Sequence, residues 1–278
     1  MIPTSVIPTL VSTITTSIEA SSLYLKKHFG QQHSVLQKDS HRDIITKADI
    51  DSQNIIVNTL KRELTQLKIP LNNIGFLSEE NLFTHAKYTF VIDPIDGTSN
   101  FAAGNPYFSI SVACFVEGNL LVGAVSHPIQ NKLYTAIKGK GSYIMDMKTG
   151  RKNRLKLKEK PVNQSLITID MPSVSSINMY KNSKLEQIHR KVLGVRILGS
   201  AALEVCDIAA NQLQASIYGK IAIWDVAASK LVINESGGRF VDWSGDDILF
   251  DIHEPEKRYK FVAGHSKLSN ALVLALNS

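Results

Sequence analysis

Cysteine is almost missing from this chain, with two in 278 residues, Cys114 and Cys206. That excludes a disulfide framework and a thiolate metal site, and a reducing cytoplasm is the expected compartment. No apolar run approaches the roughly 18 residues of a membrane span. Residues 1–17 hold no Lys or Arg, so the charged opening of a secretory leader is missing and no membrane partner is expected. Repeats and low-complexity linkers are also missing. Basic residues outnumber acidic ones by 31 to 25, giving a formal charge of +6, but much of the excess is local. Arg151, Lys152, Arg154, Lys156, Lys158 and Lys160 crowd a segment whose only acid is Glu159. Its alternation over residues 154–158 predicts a solvated edge strand whose lysines discourage pairing with another chain. No aromatic interleaving accompanies it, so nucleic acid is not an expected partner.

What is present is enough apolar residue, 44%, for a large core in one large or two fused domains. Ile7, Leu10, Val11, Ile14 and Ile18 share a helical face, predicting a first helix that ends before Gly30. After a short extended stretch, residues 41–46, a second helix is marked by Ile56, Leu60, Leu64 and Leu67, opening near Asp49 and Asp51 with Asp as a cap. Strands are expected over residues 88–92, 108–116, 120–126 and 133–137, the last three forming an antiparallel meander. Residues 166–169 and 195–198 read as buried strands. Helices follow over 201–210 and 226–235, the second stopped by Ser236-Gly237-Gly238. A boundary near residue 150 divides an α+β half, 1–150, from an α/β half, 151–278.

Chemistry concentrates in Asp93-Pro94-Ile95-Asp96-Gly97-Thr98. Pro94 has no N–H to continue an internal ladder, which predicts that both carboxylates sit in a turn at the strand's end. Two carboxylates about 4 Å apart repel by roughly 4 kcal/mol at an effective dielectric of 20, so such clustering favours a cation between them. All-oxygen ligands suit a hard ion such as Mg²⁺. Gly97 permits a left-handed turn, and N–H groups at Gly97, Thr98 and Ser99 would open a helix able to hold phosphate. A second start at Gly199, Ser200 and Ala201 would serve another part of the same ligand, or be a plain helix start capped by Ser200.

Leu77-Ser78-Glu79-Glu80, then residues 91–101, then Ile223-Trp224-Asp225 with Glu235-Ser236-Gly237-Gly238, resemble the inositol monophosphatase family in order and spacing. Ile45-Thr46-Lys47-Ala48-Asp49 and Gly199-Ser200-Ala201-Ala202 extend the resemblance over nearly the whole chain. It implies a layered α/β/α/β/α sandwich of the inositol monophosphatase and fructose-1,6-bisphosphatase type, a homodimer, two to three Mg²⁺ ions and sensitivity to Li⁺. Glu79, Asp93, Asp96 and Asp225 would be side-chain ligands, the Ile95 carbonyl would complete a shell, and Glu80 would be a neighbour. Thr98 would hold the attacking water and Asp49 would orient or deprotonate Thr98, with Glu79 part of the same catalytic group. The implied reaction is hydrolysis of a small phosphomonoester by metal-activated water.

Substrate is less determined. Inositol-specific members place Glu seven residues before the final Asp, where this chain has Tyr218, and Lys220 nearby would suit a more anionic ligand. Nucleotidases follow Asp-Gly-Thr with Lys-Glu, where this chain has Ser99-Asn100. Inositol monophosphate or a related sugar phosphate is the expected substrate. The alternatives are 3′(2′),5′-bisphosphate nucleotidase, fructose-1,6-bisphosphatase or histidinol-phosphatase activity, or a non-catalytic regulatory protein keeping the fold. A haloacid-dehalogenase-like mechanism needs its two acids two residues apart, and Asp93 and Asp96 are three apart.

Overall fold

The computed structural model describes residues 6–31, 35–37, 44–170 and 184–277. Helix α1 (Val6–His28) buries Leu10, Ile14 and Ile18 completely, as their spacing predicts. Residues 41–43 of the expected extended stretch lie outside the described residues. Ile44–Thr46 forms a strand, β2, antiparallel to β1 (Val35–Gln37). Helix α2 (Lys47–Gln66) is capped by Thr46 and not by an Asp: the Thr46 hydroxyl accepts the Ala48 N–H, and Asp49 Oδ2 accepts the Thr46 N–H at 2.8 Å. Asp49 is the reciprocal half of a capping box, which fixes one of its oxygens and leaves the other for use elsewhere.

The first sheet contains β3 (Ile74–Ser78), β4 (Leu82–Thr84), β5 (Tyr88–Asp96), β6 (Ser109–Val116), β7 (Asn119–His127), β8 (Lys132–Ile137), β9 (Gly141–Asp146) and β10 (Lys152–Arg154). Their order is β10-β9-β8-β7-β6-β5-β3-β4, with β3 parallel to β5 and the other pairs antiparallel. The expected meander is β6, β7 and β8. Glu117 and Gly118, both at positive φ, make the first of its turns, whose twist matches the flanking strands.

Three strand expectations need correction. β5 does not stop before Pro94: it runs to Asp96, pairing Asp93 with Ser111 and Asp96 with Ser109 across a register shift. Partner β3 ends opposite Ile92, so the missing Pro94 N–H costs no ladder bond on that side and Pro94-Ile95 is absorbed as a bulge. The basic edge strand is only Lys152–Arg154, paired with β9. Leu155 beyond it is buried and Leu157 packs partly buried against the same core, so the alternation over 154–158 reflects two inward leucines and not an edge strand.

A second sheet of β11 (Leu166–Ile169), β12 (Gly194–Arg196), β13 (Ala215–Ile221), β14 (Arg239–Val241) and β15 (Tyr259–Gly264) has the order β12-β11-β13-β15-β14. Residues 195–198 are therefore not a buried strand, since β12 is a short, partly exposed edge and Ile197 is exposed. Helices α5 (Ala201–Ala209) and α6 (Ile223–Glu235) pack between the sheets, α1 and α2 on the outer face of the first, and α4 (Lys184–His189) and α7 (Ser266–Asn277) on the outer face of the second. This is the α/β/α/β/α sandwich. Every residue of α5 is buried, as a helix covered on both sides must be. Among the described residues no helix is long and apolar enough to cross a membrane.

α6 lies close against the first sheet at Gly123 of β7, where an added Cβ would lie 2.7 Å from the Ala228 carbonyl oxygen and 3.0 Å from its Cα. Gly123→Ala is expected to destabilise the fold by about 1–3 kcal/mol, because helix backbone must retreat to admit the methyl group. The denaturant midpoint reads this, and an unchanged midpoint would show that α6 slides freely over the sheet.

Candidate active site

The bulge in β5 holds Asp93 and Asp96 at the sheet's end, 1% and 7% exposed. β3 runs parallel beside it, so Glu79 arrives at the same end, its N–H donating to the Ile92 carbonyl at 3.3 Å. Asp225 comes from the first turn of α6, where its Oδ2 accepts the Ala222 N–H at 3.0 Å. These four acids line one cavity of about 320 Å³ together with Ile95 and Thr98. Glu80 lies outside the lining, and Trp224, 7% exposed, belongs to the core.

Burial pushes the Asp93 carboxyl well above the usual carboxylate range, and the charges of Glu79, Asp96, Asp225 and Asp49 push it further. Asp225 is raised for the same first reason, then by Glu79 and Asp96. Burial raises Asp96 too, but hydrogen bonds from Ser200, Ala202, Ser109 and Ala201 oppose it. Among the described residues no Lys, Arg or His lines the cavity. An all-oxygen, mutually repelling donor set fits a hard divalent cation. It is not a ready-made cage: among the described residues no three such side chains already converge as metal ligands. Asp93 Oδ1 accepts the Ile95 N–H at 3.0 Å, and both oxygens of Asp96 accept protein donors.

Thr98 opens a five-residue helix, α3 (Thr98–Ala102), after Gly97 at φ 94°. Its Oγ1 lies 2.8 Å from Asp49 Oδ1 and 3.0 Å from the Ile95 carbonyl. Asp49, fully buried, also accepts the Thr46 hydroxyl. With its proton given to one of these acceptors, the Thr98 oxygen offers lone pairs to the cavity. So short a helix carries little macrodipole, and any anion at Gly97, Thr98 and Ser99 would depend on the N–H groups themselves.

Of the residues expected on the alcohol side, Gly199, Ala201 and Tyr218 line the cavity and Ser200 does not. The Gly199 N–H already donates to Glu204 Oε1 at 3.1 Å and the Ala201 N–H to Asp96 Oδ1 at 3.1 Å. These two N–H groups are engaged within the protein. Ser200 does not cap α5, since it makes no cap bond with its side chain and its Oγ donates to Asp96. Lys220 is exposed and outside the lining. Glu204 and Asp170 are the acids that sequence reasoning missed. A lone Glu inside Ala201-Ala202-Leu203-Glu204-Val205-Cys206 was the available signal for the first, and an Asp closing an apolar strand for the second.

Two sheets framing an acidic cavity, with a threonine hydroxyl backed by a buried carboxylate, define an enzyme of the phosphoric monoester hydrolase class. The chain belongs to the inositol monophosphatase family, whose family model matches residues 5–276. Mg²⁺-dependent phosphomonoester hydrolysis is the general activity of that superfamily. A fructose-1,6-bisphosphatase/inositol-1-monophosphatase of Thermotoga maritima is 31% identical over 220 residues, 79% of each chain. Nus factor SuhB of Pasteurella multocida is 30% identical over 207 residues, 74% of each. The crystal structure of the extragenic suppressor protein suhB from Bartonella henselae superposes with a TM-score of 0.82 at 26% identity, covering 96% of this chain and 98% of that one.

Because Asp93 and Asp225 are raised in the folded protein, without a cation their contribution to stability is complete below the unfolded value of about 3.9 and is lost as pH rises through the folded values. Mg²⁺ held by these acids would compete with those protons. It is therefore expected to raise Tm more at about pH 8 than at about pH 5.5. Thermal unfolding with and without Mg²⁺ at both pH values checks this, and equal shifts would mean that no proton leaves the acids on binding.

Proposed function

We propose that this enzyme hydrolyses the phosphomonoester of a small polyhydroxy alcohol, inositol monophosphate or a related sugar phosphate, with two to three Mg²⁺ ions. The observation that carries the reading is the Thr98–Asp49 hydrogen bond at 2.8 Å beside a cavity lined by Glu79, Asp93, Asp96 and Asp225. Those four side chains and the Ile95 carbonyl would hold the ions. When bound, Mg²⁺ supplies Lewis-acid polarisation of phosphate and eases deprotonation of water. Asp49, anchored by the Thr46 N–H and hydroxyl, keeps the Thr98 hydroxyl turned inward so that its oxygen accepts a hydrogen bond from the attacking water. N–H groups at Gly97, Thr98 and Ser99 receive the phosphate oxygens. Residues 1–150 supply most of the ligands, and residues 151–278 supply Asp225 and the alcohol side.

Tyr218 bears on the substrate. Its hydroxyl donates to Glu204 Oε2 at 2.9 Å, so the residue offers the cavity an uncharged ring in place of a free hydroxyl, which favours a neutral alcohol. A homodimer, a cytoplasmic location and Li⁺ sensitivity belong to the same reading.

Asp93→Asn is expected to lower phosphate release from a small phosphomonoester by about 100-fold or more while the thermal transition survives. Unchanged turnover would sink the assignment of Asp93. Thr98→Ala is expected to reduce kcat more than Mg²⁺ affinity, and equal loss of both would make Thr98 a structural support of the acids.

A further inference from the structure

β11 and β13 are parallel neighbours, and their last registered pair is Ile169 and Ile217. The next residues are Asp170 and Tyr218, both of which line the cavity beyond the four acids. Asp170 is half-buried. Its N–H donates to the Ile217 carbonyl at 2.9 Å, which fixes the backbone, yet among the described residues its carboxylate has no hydrogen-bond donor. Burial raises that carboxyl above its ordinary value. A partly desolvated carboxylate without donors is costly unless something in the cavity supplies one.

Tyr218 cannot be that donor, because its hydroxyl is committed to Glu204 and its ring stacks on Phe261 with centroids 4.9 Å apart. Ile221 and Ile44 add further apolar surface to the lining. This side of the cavity therefore combines an aromatic and aliphatic wall with one strong acceptor. A polyol matches it, with C–H surface for the wall and hydroxyl donors for the acid. A second phosphate seated there would be repelled by the Asp170 carboxylate.

We propose that Asp170 selects the leaving alcohol, accepting a hydroxyl of a neutral polyol seated against Tyr218 and rejecting esters that carry a second phosphate there. The proposal rests on the phosphomonoesterase reading above. The test uses the full chain with Mg²⁺ and three probes: inositol 1-phosphate, p-nitrophenyl phosphate, which has no free hydroxyl on its leaving group, and fructose 1,6-bisphosphate. In Asp170→Ala the ratio of kcat/KM for inositol 1-phosphate to that for p-nitrophenyl phosphate is expected to fall about tenfold or more. In Asp170→Asn, which keeps the shape and removes the charge, the ratio for fructose 1,6-bisphosphate over p-nitrophenyl phosphate is expected to rise. If Asp170→Ala fails to fold, the two ratios in Asp170→Asn decide. Ratios equal to those of the unchanged protein overturn the role of Asp170 alone. Failure of the unchanged protein to release phosphate from any probe overturns the phosphomonoesterase reading and this proposal with it.

Discussion

Asp96 stands at the end of β5 in the first sheet, yet much of what satisfies it comes from elsewhere in the chain. Its carboxylate accepts the Ser200 hydroxyl and the N–H groups of Ala201 and Ala202 at the start of α5, together with the Ser109 hydroxyl of neighbouring β6. A carboxylate at a helix N-terminus meets both free donors and the positive end of the dipole. The start of α5 is therefore capped by a residue about a hundred positions away, and the two stretches that form the cavity walls are set against each other by one side chain. Gly97 and Gly199 make the approach possible, since a Cβ at Gly97 would lie 2.8 Å from the Gly199 carbonyl oxygen. Asn100 closes the same seam, donating from Nδ2 to the Leu198 and Tyr107 carbonyls.

α5 is held at further points along its length. Glu204 accepts the Leu198 and Gly199 N–H groups and the Tyr218 hydroxyl, while Asp207 accepts the hydroxyls of Tyr107 and Tyr134. In a helix otherwise built of Ala, Leu, Val, Ile and Cys, these contacts fix rotation and depth, which apolar packing alone leaves loosely specified. Glu204 joins the loop at Gly199 to Tyr218, two parts of the cavity lining. Its carboxyl is pushed up to about 7, by burial first and against its hydrogen bonds.

Much of this architecture is legible in local patterns. α1 follows from the spacing of Leu10, Ile14 and Ile18, and the meander from its alternating runs and the turn at Glu117-Gly118. The acid-rich segment at 93–98 announces a cation by charge crowding alone. Joining Asp49, Glu79 and Asp225 to it takes the family resemblance, because nothing local indicates that these three segments meet. Partners distant in sequence are what local reading misses. Ser200 looks like a helix cap because Ser before an Ala-rich helix usually is one, and only the fold reveals that Asp96 has taken that place. Pro94 reads as a strand terminator, and only the early end of β3 makes it harmless.

The buried acids divide by the donors that reach them more than by depth. Asp93 and Asp225 accept N–H groups from Ile95 and Ala222 and stand well above the ordinary range. Asp96 is as deeply placed but collects four donors, which oppose the effect of burial. A charge that the protein has already solvated gains less from an incoming cation than one it has left short, because the cation replaces hydrogen bonds in the first case and fills a deficit in the second. Of these three, Asp93 and Asp225 are the ones whose state would respond most to an ion. Asp96 has a double position: its frame of donors keeps the cavity's shape whether or not a cation is bound, and the acids around it keep their demand for one.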